Sequence, residues 1–134
     1  MIDIFIPGFP APQGSKRHIG HGIMIESSKS VKPWREDIRC ALLSGGLPMQ
    51  RFPGAVACTL EFVLPRPKST PKKATPLASK RPDLDKLTRA AFDAITSAGV
   101  IVDDSKIISL TASKRIAEIN GVSGMRLILT AQET

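Results

Sequence analysis

The stretch that decides the fold is residues 81–104, which read RPDLDKLTRAAFDAITSAGVIVDD. Its apolar residues recur at the 3.6-residue spacing of a helix that is buried on one face. They are Leu84, Leu87, Ala91, Ala94, Ile95 and Ala98. The spacing predicts an amphipathic helix over 83–98, with Gly99 just past its end. The opposite side of this helix carries Asp85, Lys86, Arg89 and Asp93.

Patterning on either side of this helix predicts the remaining elements. They are a strand at 2–6, a short hairpin of 17–19 with 22–25 around Gly20-His21, a helix at 30–43 and strands at 55–64, 107–116 and 122–130. Ser27 or Ser28 is the expected N-cap of the first helix, and Gly45-Gly46 is its expected end. Asn120-Gly121 is typical of a tight turn, so the last two strands are expected to pair as a hairpin. The order predicts an α+β fold: a mixed or antiparallel sheet with two principal helices, in one domain over 1–134.

Length and composition exclude several classes of protein. The chain has 134 residues, the size of one domain, and its 42% hydrophobic content argues against wholesale disorder. No apolar run is long enough to span a membrane and no secretory leader is visible, so a cytoplasmic protein is expected. Cys40 and Cys58 form no disulfide framework and complete no zinc pattern with His18 and His21. Each cysteine is therefore expected to be a small buried apolar residue.

The charge of the chain indicates an anionic partner. Nineteen Lys and Arg against twelve Asp and Glu give a formal net charge of +7. Basic domains of this kind commonly bind the phosphates of nucleic acid. Aromatic residues make up only 4% and tyrosine is absent, which disfavours proteins that stack bases on an aromatic platform. The composition favours contact with the backbone of duplex or branched DNA.

A long loop at 65–82 is rich in proline and lysine and contains no acidic residue. A loop of this length in a small domain is either functional or mobile, and a solvated basic loop is the simpler interpretation. Its position directly before the acidic cluster favours a role in DNA binding. With the loop after the first strand, it supplies the candidate DNA-binding residues Lys16, Arg17, Lys72, Lys73, Lys80 and Arg81.

Five of the seven aspartates lie between residues 83 and 104. Asp83 and Asp85 stand where the basic loop enters the helix, and Asp103-Asp104 follow the helix end. We expect the chain to return the second pair toward the first, so that the carboxylates could share a Mg²⁺ ion and hydrolyse a phosphodiester. Capping of the helix by Asp83 and a polar turn at Asp103-Asp104 are the structural alternatives, and spacing alone leaves both open. Asp93 is expected to pair with Lys86 or Arg89 on the exposed face.

The central block resembles the RusA family, the Holliday junction resolvases of bacteria and their phages. The resemblance lies in Arg81 to Leu87, in Ala90 to Ile95, and in Gly99 with Val102-Asp103-Asp104. A weaker resemblance extends over Ile4 to Gly8, Gln13 to Arg17 and Val31 to Ile38.

The resemblance implies a homodimeric endonuclease that binds four-way DNA junctions and cuts two strands symmetrically in recombination and repair. It implies Mg²⁺ as cofactor, with Mn²⁺ as a substitute, and a phage or prophage origin. Carried over by position, the metal ligands would be Asp83, Asp85 and Asp104, with Asp103 as a further candidate. Arg89 stands where the family has a functional lysine. Lys86 replaces the usual Asn and is a second candidate for the lysine's role, so both count among the catalytic candidates.

Two other functions remain open at this level. One is a non-catalytic basic module that binds branched DNA, and the other is a related nuclease that cuts flaps or forks. The aspartates favour the nucleases, because carboxylates that face a phosphate would only weaken a binding module. Phe9, between prolines, is a candidate wedge for an opened junction. Trp34 is expected in the core or at a dimer contact.

Overall fold

The computed structural model describes residues 1–14, 29–44 and 52–132 in full, and the strands at 16–18 and 24–26 as backbone. The α+β prediction with two principal helices is confirmed. In chain order the elements are β1 (Ile2–Pro7), β2 (Lys16–His18), β3 (Met24–Glu26), α1 (Val31–Ser44), β4 (Val56–Leu64), α2 (Leu84–Ser97), a 3₁₀ turn (Asp104–Lys106), β5 (Ile107–Ile116) and β6 (Gly124–Ala131).

The main sheet is mixed and has the strand order β1-β6-β4-β5. β4 pairs in parallel with β5, and both of the other pairings are antiparallel. The predicted pairing of the last two strands is therefore wrong, because β4 lies between them. The more apolar and more buried β4 takes the interior position, whereas the Ser-, Thr- and Lys-rich β5 suits an edge.

The turn at Asn120-Gly121 does form, although it does not make a hairpin. Asn120 has a positive φ of 62°, and the Gly121 N–H donates to the Glu118 carbonyl at 2.8 Å. The Asn120-Gly121 pair thus predicted correctly that the chain reverses, but it did not predict which strands pair with β6. The predicted N-terminal hairpin is confirmed as the antiparallel pair β2-β3, while its turn at Gly20-His21 lies outside the described residues.

Both helices pack on one face of the sheet and enclose a single core. The predicted apolar face of α2 and the inward face of β4 are confirmed as buried, apart from a half-buried Leu84. The largest fully buried side chains are Trp34, Phe62, Ile6, Ile38, Leu60 and Leu87. The placement of Trp34 in the core is thereby confirmed. The capping residues predicted for α1 at 27–28 and 45–46 lie outside the described residues.

The other face of the sheet is partly open and carries charged side chains from all four strands. Arg126 on β6 contacts Asp3 on β1 at 3.0 Å, and Arg115 on β5 contacts Glu61 on β4 at 3.4 Å. The Arg126 guanidinium lowers the pKa of the Asp3 carboxyl. The face of the sheet under the helices is therefore apolar, whereas the open face carries ion pairs.

The two cysteines differ in burial, and the prediction holds for one of them. Cys58 is buried on β4, and burial raises the pKa of its thiol to about 12. Cys40 is exposed on α1, so its predicted burial is wrong. It falls outside the stripe of Val31, Trp34 and Ile38 that faces the core. No helix within the described ranges is long and apolar enough to cross a membrane.

Candidate active site

Helix α2 separates the two pairs of candidate catalytic aspartates. The helix has 14 residues, which corresponds to a length of about 21 Å. Asp83 and Asp85 lie at its first turn. Gly99, with a φ of 78°, allows the sharp change of direction after its end. Asp103 and Asp104 follow, beside Thr96 and Ser97 on the last turn.

The expected return of Asp103-Asp104 to the helix start does not occur within one chain. β5 makes that return instead, because it runs back along α2 after the 3₁₀ turn. Lys114, near the end of β5, donates hydrogen bonds to the carbonyl oxygens of Lys80 and Pro82 at 2.7 and 2.8 Å. The strand that follows the second pair of aspartates thus reaches the first pair, while the second pair stays at the far end.

Asp83 occupies the N-cap position without acting as a side-chain cap. Its backbone is extended, with φ −72° and ψ 138°, and its carboxylate accepts no capping hydrogen bond. The nearest cation is Lys86, whose Nζ lies 3.8 Å from an Asp83 carboxylate oxygen. Asp85 is exposed in the first turn, where a negative charge suits the helix dipole. Both carboxylates are therefore accessible to a ligand from outside the chain.

The two aspartates that follow the helix, Asp103 and Asp104, differ in the contacts that their carboxylates make. The Asp103 side chain accepts the Ser105 N–H at 3.0 Å and caps the 3₁₀ turn, and these hydrogen bonds from Ser105 lower the pKa of the Asp103 carboxyl. The Asp104 side chain is exposed and has no hydrogen-bond or ion-pair partner in the described part of the chain. Asp103 thus fulfils the polar-turn role, and Asp104 stays available for a ligand.

A groove of about 720 Å³ runs between α1 and α2 and ends at Asp103 and Asp104. Arg35 crosses it: its Nη1 donates to Gln13 Oε1 at 2.9 Å and lies 3.7 Å from the Asp93 carboxylate. The predicted pairing of Asp93 with Lys86 or Arg89 is therefore wrong, because Asp93 faces α1 and Lys86 is engaged by Asp83.

Helix α1 contributes basic residues to this groove that were not among the candidates predicted from the sequence. Lys32, Arg35 and Arg39 all line it. They are spaced by three and four residues, which places them on one helix face, and this spacing was the signal that could have revealed them. Arg35 pairs with Asp93 and Arg39 pairs with Glu36, so Lys32 is the one cation of this set without an ion pair among the described residues.

Arg89 lies exposed on α2, one turn after Asp85. No described residue forms an ion pair with it, so its guanidinium can bind a phosphate without first breaking a contact. Lys86, the second candidate, is half-buried and already neutralised in part by Asp83.

The candidate DNA-binding cations lie on two segments. Lys72, Lys73, Lys80 and Arg81 are all exposed on the loop between β4 and α2. Lys16 and Arg17 belong to β2, where the backbone alone is described. Phe9 is 71% exposed, as a wedge would require.

A complete metal site does not exist among the described residues of a single chain. No three Asp, Glu, His or Cys side chains there come together in a group that could hold an ion. The donor chemistry is nevertheless suitable, because Mg²⁺ prefers carboxylate oxygens and leaves positions for water and phosphate. The candidate ligands of one chain therefore form two separate groups, one at each end of α2.

Comparison with known families places these residues in context. A family model described as "Endodeoxyribonuclease RusA" matches residues 7–123, which include both helices and all four candidate aspartates. Comparison with curated proteins gives no match. Because the match extends over most of the chain, the protein belongs to the RusA family of endodeoxyribonucleases, the enzymes that resolve Holliday junctions.

Proposed function

We propose that this chain acts as a homodimeric, Mg²⁺-dependent resolvase that cuts four-way DNA junctions symmetrically. The observation that carries the proposal is the pair of exposed carboxylate sets at the two ends of α2, in a chain of net charge +7. A module that only binds DNA would gain nothing from them, because they repel phosphate. The family match supports nuclease chemistry over simple binding.

The separation along α2 supports a dimer in which each site draws on two chains. A two-fold axis that sets the α2 helices antiparallel would bring Asp83 and Asp85 of one chain toward Asp103 and Asp104 of the partner subunit. Exposed apolar side chains flank this region, with Val102 66%, Ile108 65% and Leu110 44% exposed. Their burial would favour association on the α2-β5 side of the molecule.

The bound ion would lower the pKa of a water and neutralise charge that develops on the leaving oxygen. In this proposal Asp83, Asp85 and Asp104 hold it, and Asp103 fixes the turn that presents Asp104. Arg89 binds the scissile or an adjacent phosphate. Arginine stays protonated at neutral pH, so it contributes charge and hydrogen bonds rather than a proton.

The basic surface brings DNA to these carboxylates. Lys72, Lys73, Lys80 and Arg81 precede Asp83 along the chain, and Lys32 of α1 lies in the groove that ends at Asp104. Each lysine or arginine that contacts a phosphate releases counterions, so binding should weaken steeply with salt.

The test is cleavage of four-way, flap, fork and linear DNA in Mg²⁺, with gel shifts on the same substrates. Asp83→Asn and Asp104→Asn should abolish cleavage and keep or tighten binding. Asp3→Asn is the matched control, since Asp3 lies on the open face of the sheet, and it should cleave normally. Structure-selective binding without cleavage in any metal would overturn the proposal, and preferential cutting of flaps or forks would replace the junction as substrate.

A further inference from the structure

The loop between β4 and α2 is held in one conformation by Arg66. Its guanidinium donates to the carbonyl oxygens of Pro71 and Ala74 at 2.7 and 2.9 Å and to Thr75 Oγ1 at 2.8 Å. The Thr75 hydroxyl in turn donates to Glu118 Oε2 at 2.6 Å. Arg66, which the sequence alone shows only as one of the cations of this basic loop, therefore anchors the loop from within.

Lys114 fixes the other end of the loop through the carbonyl oxygens of Lys80 and Pro82. The loop is thus bound to the body of the protein near both of its ends. A preformed loop binds more tightly than a floppy one, because less conformational entropy is lost on association.

The anchored loop encloses an apolar cleft of about 650 Å³ against the ends of β4 and β5. We name it the proline cleft, because its walls include Pro65, Pro67, Pro71, Pro76 and Pro82. Leu77 stands at its rim and is 89% exposed. Leu77 and the proline rings of the same loop together present an apolar surface, and a contiguous apolar surface of this kind suits a ligand.

The charge around the proline cleft suits an anionic ligand. Lys80 and Arg81 line it, Lys72 and Lys73 lie on the same loop, and no acidic residue occurs between 65 and 82. A ligand that suits both features combines an anionic backbone with a flat apolar group, which describes a nucleotide. The cleft ends at Pro82, so its occupant would lie directly beside Asp83.

We propose that the proline cleft receives an unstacked nucleobase of the DNA substrate, with Leu77 as the wedge that displaces it. Leucine and proline side chains are known to separate base steps when they insert into DNA. The inference rests on the proposed function, since it places the base next to the carboxylates that would hold the metal. It also gives the enzyme a means to select branched DNA, because a base that has lost its pairing partner costs less to unstack than one within a duplex.

The test uses the full-length protein and four-way junctions that carry a single 2-aminopurine at successive positions around the crossover. Calcium replaces magnesium to suppress cutting. The wild type should raise 2-aminopurine fluorescence at one position near the cut site. Leu77→Ala should lose that rise and cut in Mg²⁺ roughly tenfold more slowly, since the base must then unstack without the wedge. Ser69→Trp, which fills the cleft from its wall, should lose the rise as well.

Leu43→Ala is the matched control, because Leu43 is an exposed leucine on α1, away from the cleft. It should keep the full signal. Cleavage by the wild type without any fluorescence rise, or an equal rise in all variants, would overturn the base-binding inference and leave the resolvase proposal intact. A rise in calcium without cleavage in Mg²⁺ would support the inference and count against the resolvase proposal instead.

Discussion

The ammonium group of Lys114 lies 2.8 Å from the carbonyl oxygen of Pro82, the residue directly before Asp83. A side chain on the edge strand thereby holds the start of α2 in place. The contact also joins the two halves of the site described above, because Lys114 lies on the strand that begins just after Asp104.

Lys114→Met should lower both stability and cleavage. Hydrogen bonds from a charged donor contribute more than neutral ones, so we expect a loss of about 1–3 kcal/mol in the free energy of unfolding by urea. kcat should fall more than DNA affinity, because Asp83 loses its support. Lys68→Met, at an exposed lysine of the same loop, should leave stability unchanged. Equal stability in both variants would contradict the role of Lys114.

Mixing two inactive variants should restore partial activity if each site draws on two chains. In a mixed dimer of Asp83→Asn and Asp104→Asn subunits, one site carries both substitutions and the other carries neither. The mixture should therefore nick one strand of a junction, whereas each variant alone cuts nothing. The readout is the ratio of single to double nicks after refolding the two proteins together. No recovery in a mixture shown to contain mixed dimers would indicate sites built within single chains.

Arg66→Gln should free the loop between β4 and α2. The loop offers trypsin Lys68, Lys72, Lys73 and Lys80, and the hydrogen bonds from Arg66 should slow cleavage there by holding the backbone in place. We expect cleavage there to accelerate roughly tenfold, which corresponds to the loss of hydrogen bonds worth a kcal/mol or more. Arg115→Gln removes an exposed arginine from the open face of the sheet and should leave the rate unchanged. An unchanged rate in Arg66→Gln would show that other contacts hold the loop.

The two cysteines should differ in their reaction with thiol reagents. Cys58, with a pKa of about 12 and a buried side chain, should react only on unfolding. The Cys40 thiol donates to Glu36 Oε1, and this contact raises the pKa of Cys40, so it holds less thiolate at neutral pH than an ordinary surface cysteine.

Glu36→Gln should therefore speed the labelling of Cys40 at neutral pH. Removing the carboxylate lowers the thiol pKa, and the gain in thiolate exceeds the accompanying loss in nucleophilicity. Glu61→Gln, on the other face of the sheet, serves as control. Mass spectrometry after brief labelling measures both sites, and a slower reaction in Glu36→Gln would contradict the assigned cause.

Local patterns predicted the elements of the fold better than their partners. The alternation in β4 and the helical spacing in α2 identified their buried faces, because burial of those side chains is encoded residue by residue. Asn120-Gly121 identified a turn for the same reason. The position of β4 between β5 and β6 depends on packing across the whole sheet. It therefore cannot be predicted from any short segment of the sequence.

The residues of the candidate site could likewise be predicted better than their arrangement. The sequence indicated the aspartates and the basic loop, but their arrangement depends on the length of α2 and on the direction of β5. Arg66 and Lys114 could not be distinguished from surface cations, because the carbonyl groups they bind have no signature in the sequence. Asp93 was assigned to neighbours on its own helix, and its actual partner, Arg35, lies on another.

The central position of β6 has a consequence for how the molecule is made. β1 is the first of the described strands in chain order, yet its neighbour in the four-stranded sheet is β6, the last of them. Ile2 on β1 lies opposite Leu129, so the earliest and latest strands must find each other across almost the whole chain. Folding of the sheet is therefore expected to be completed only after synthesis of β6. Until then the apolar face of β1 is expected to stay accessible to chaperones. A truncated chain that lacks β6 is expected to be unable to complete the core, because Met125, Leu127 and Leu129 belong to it.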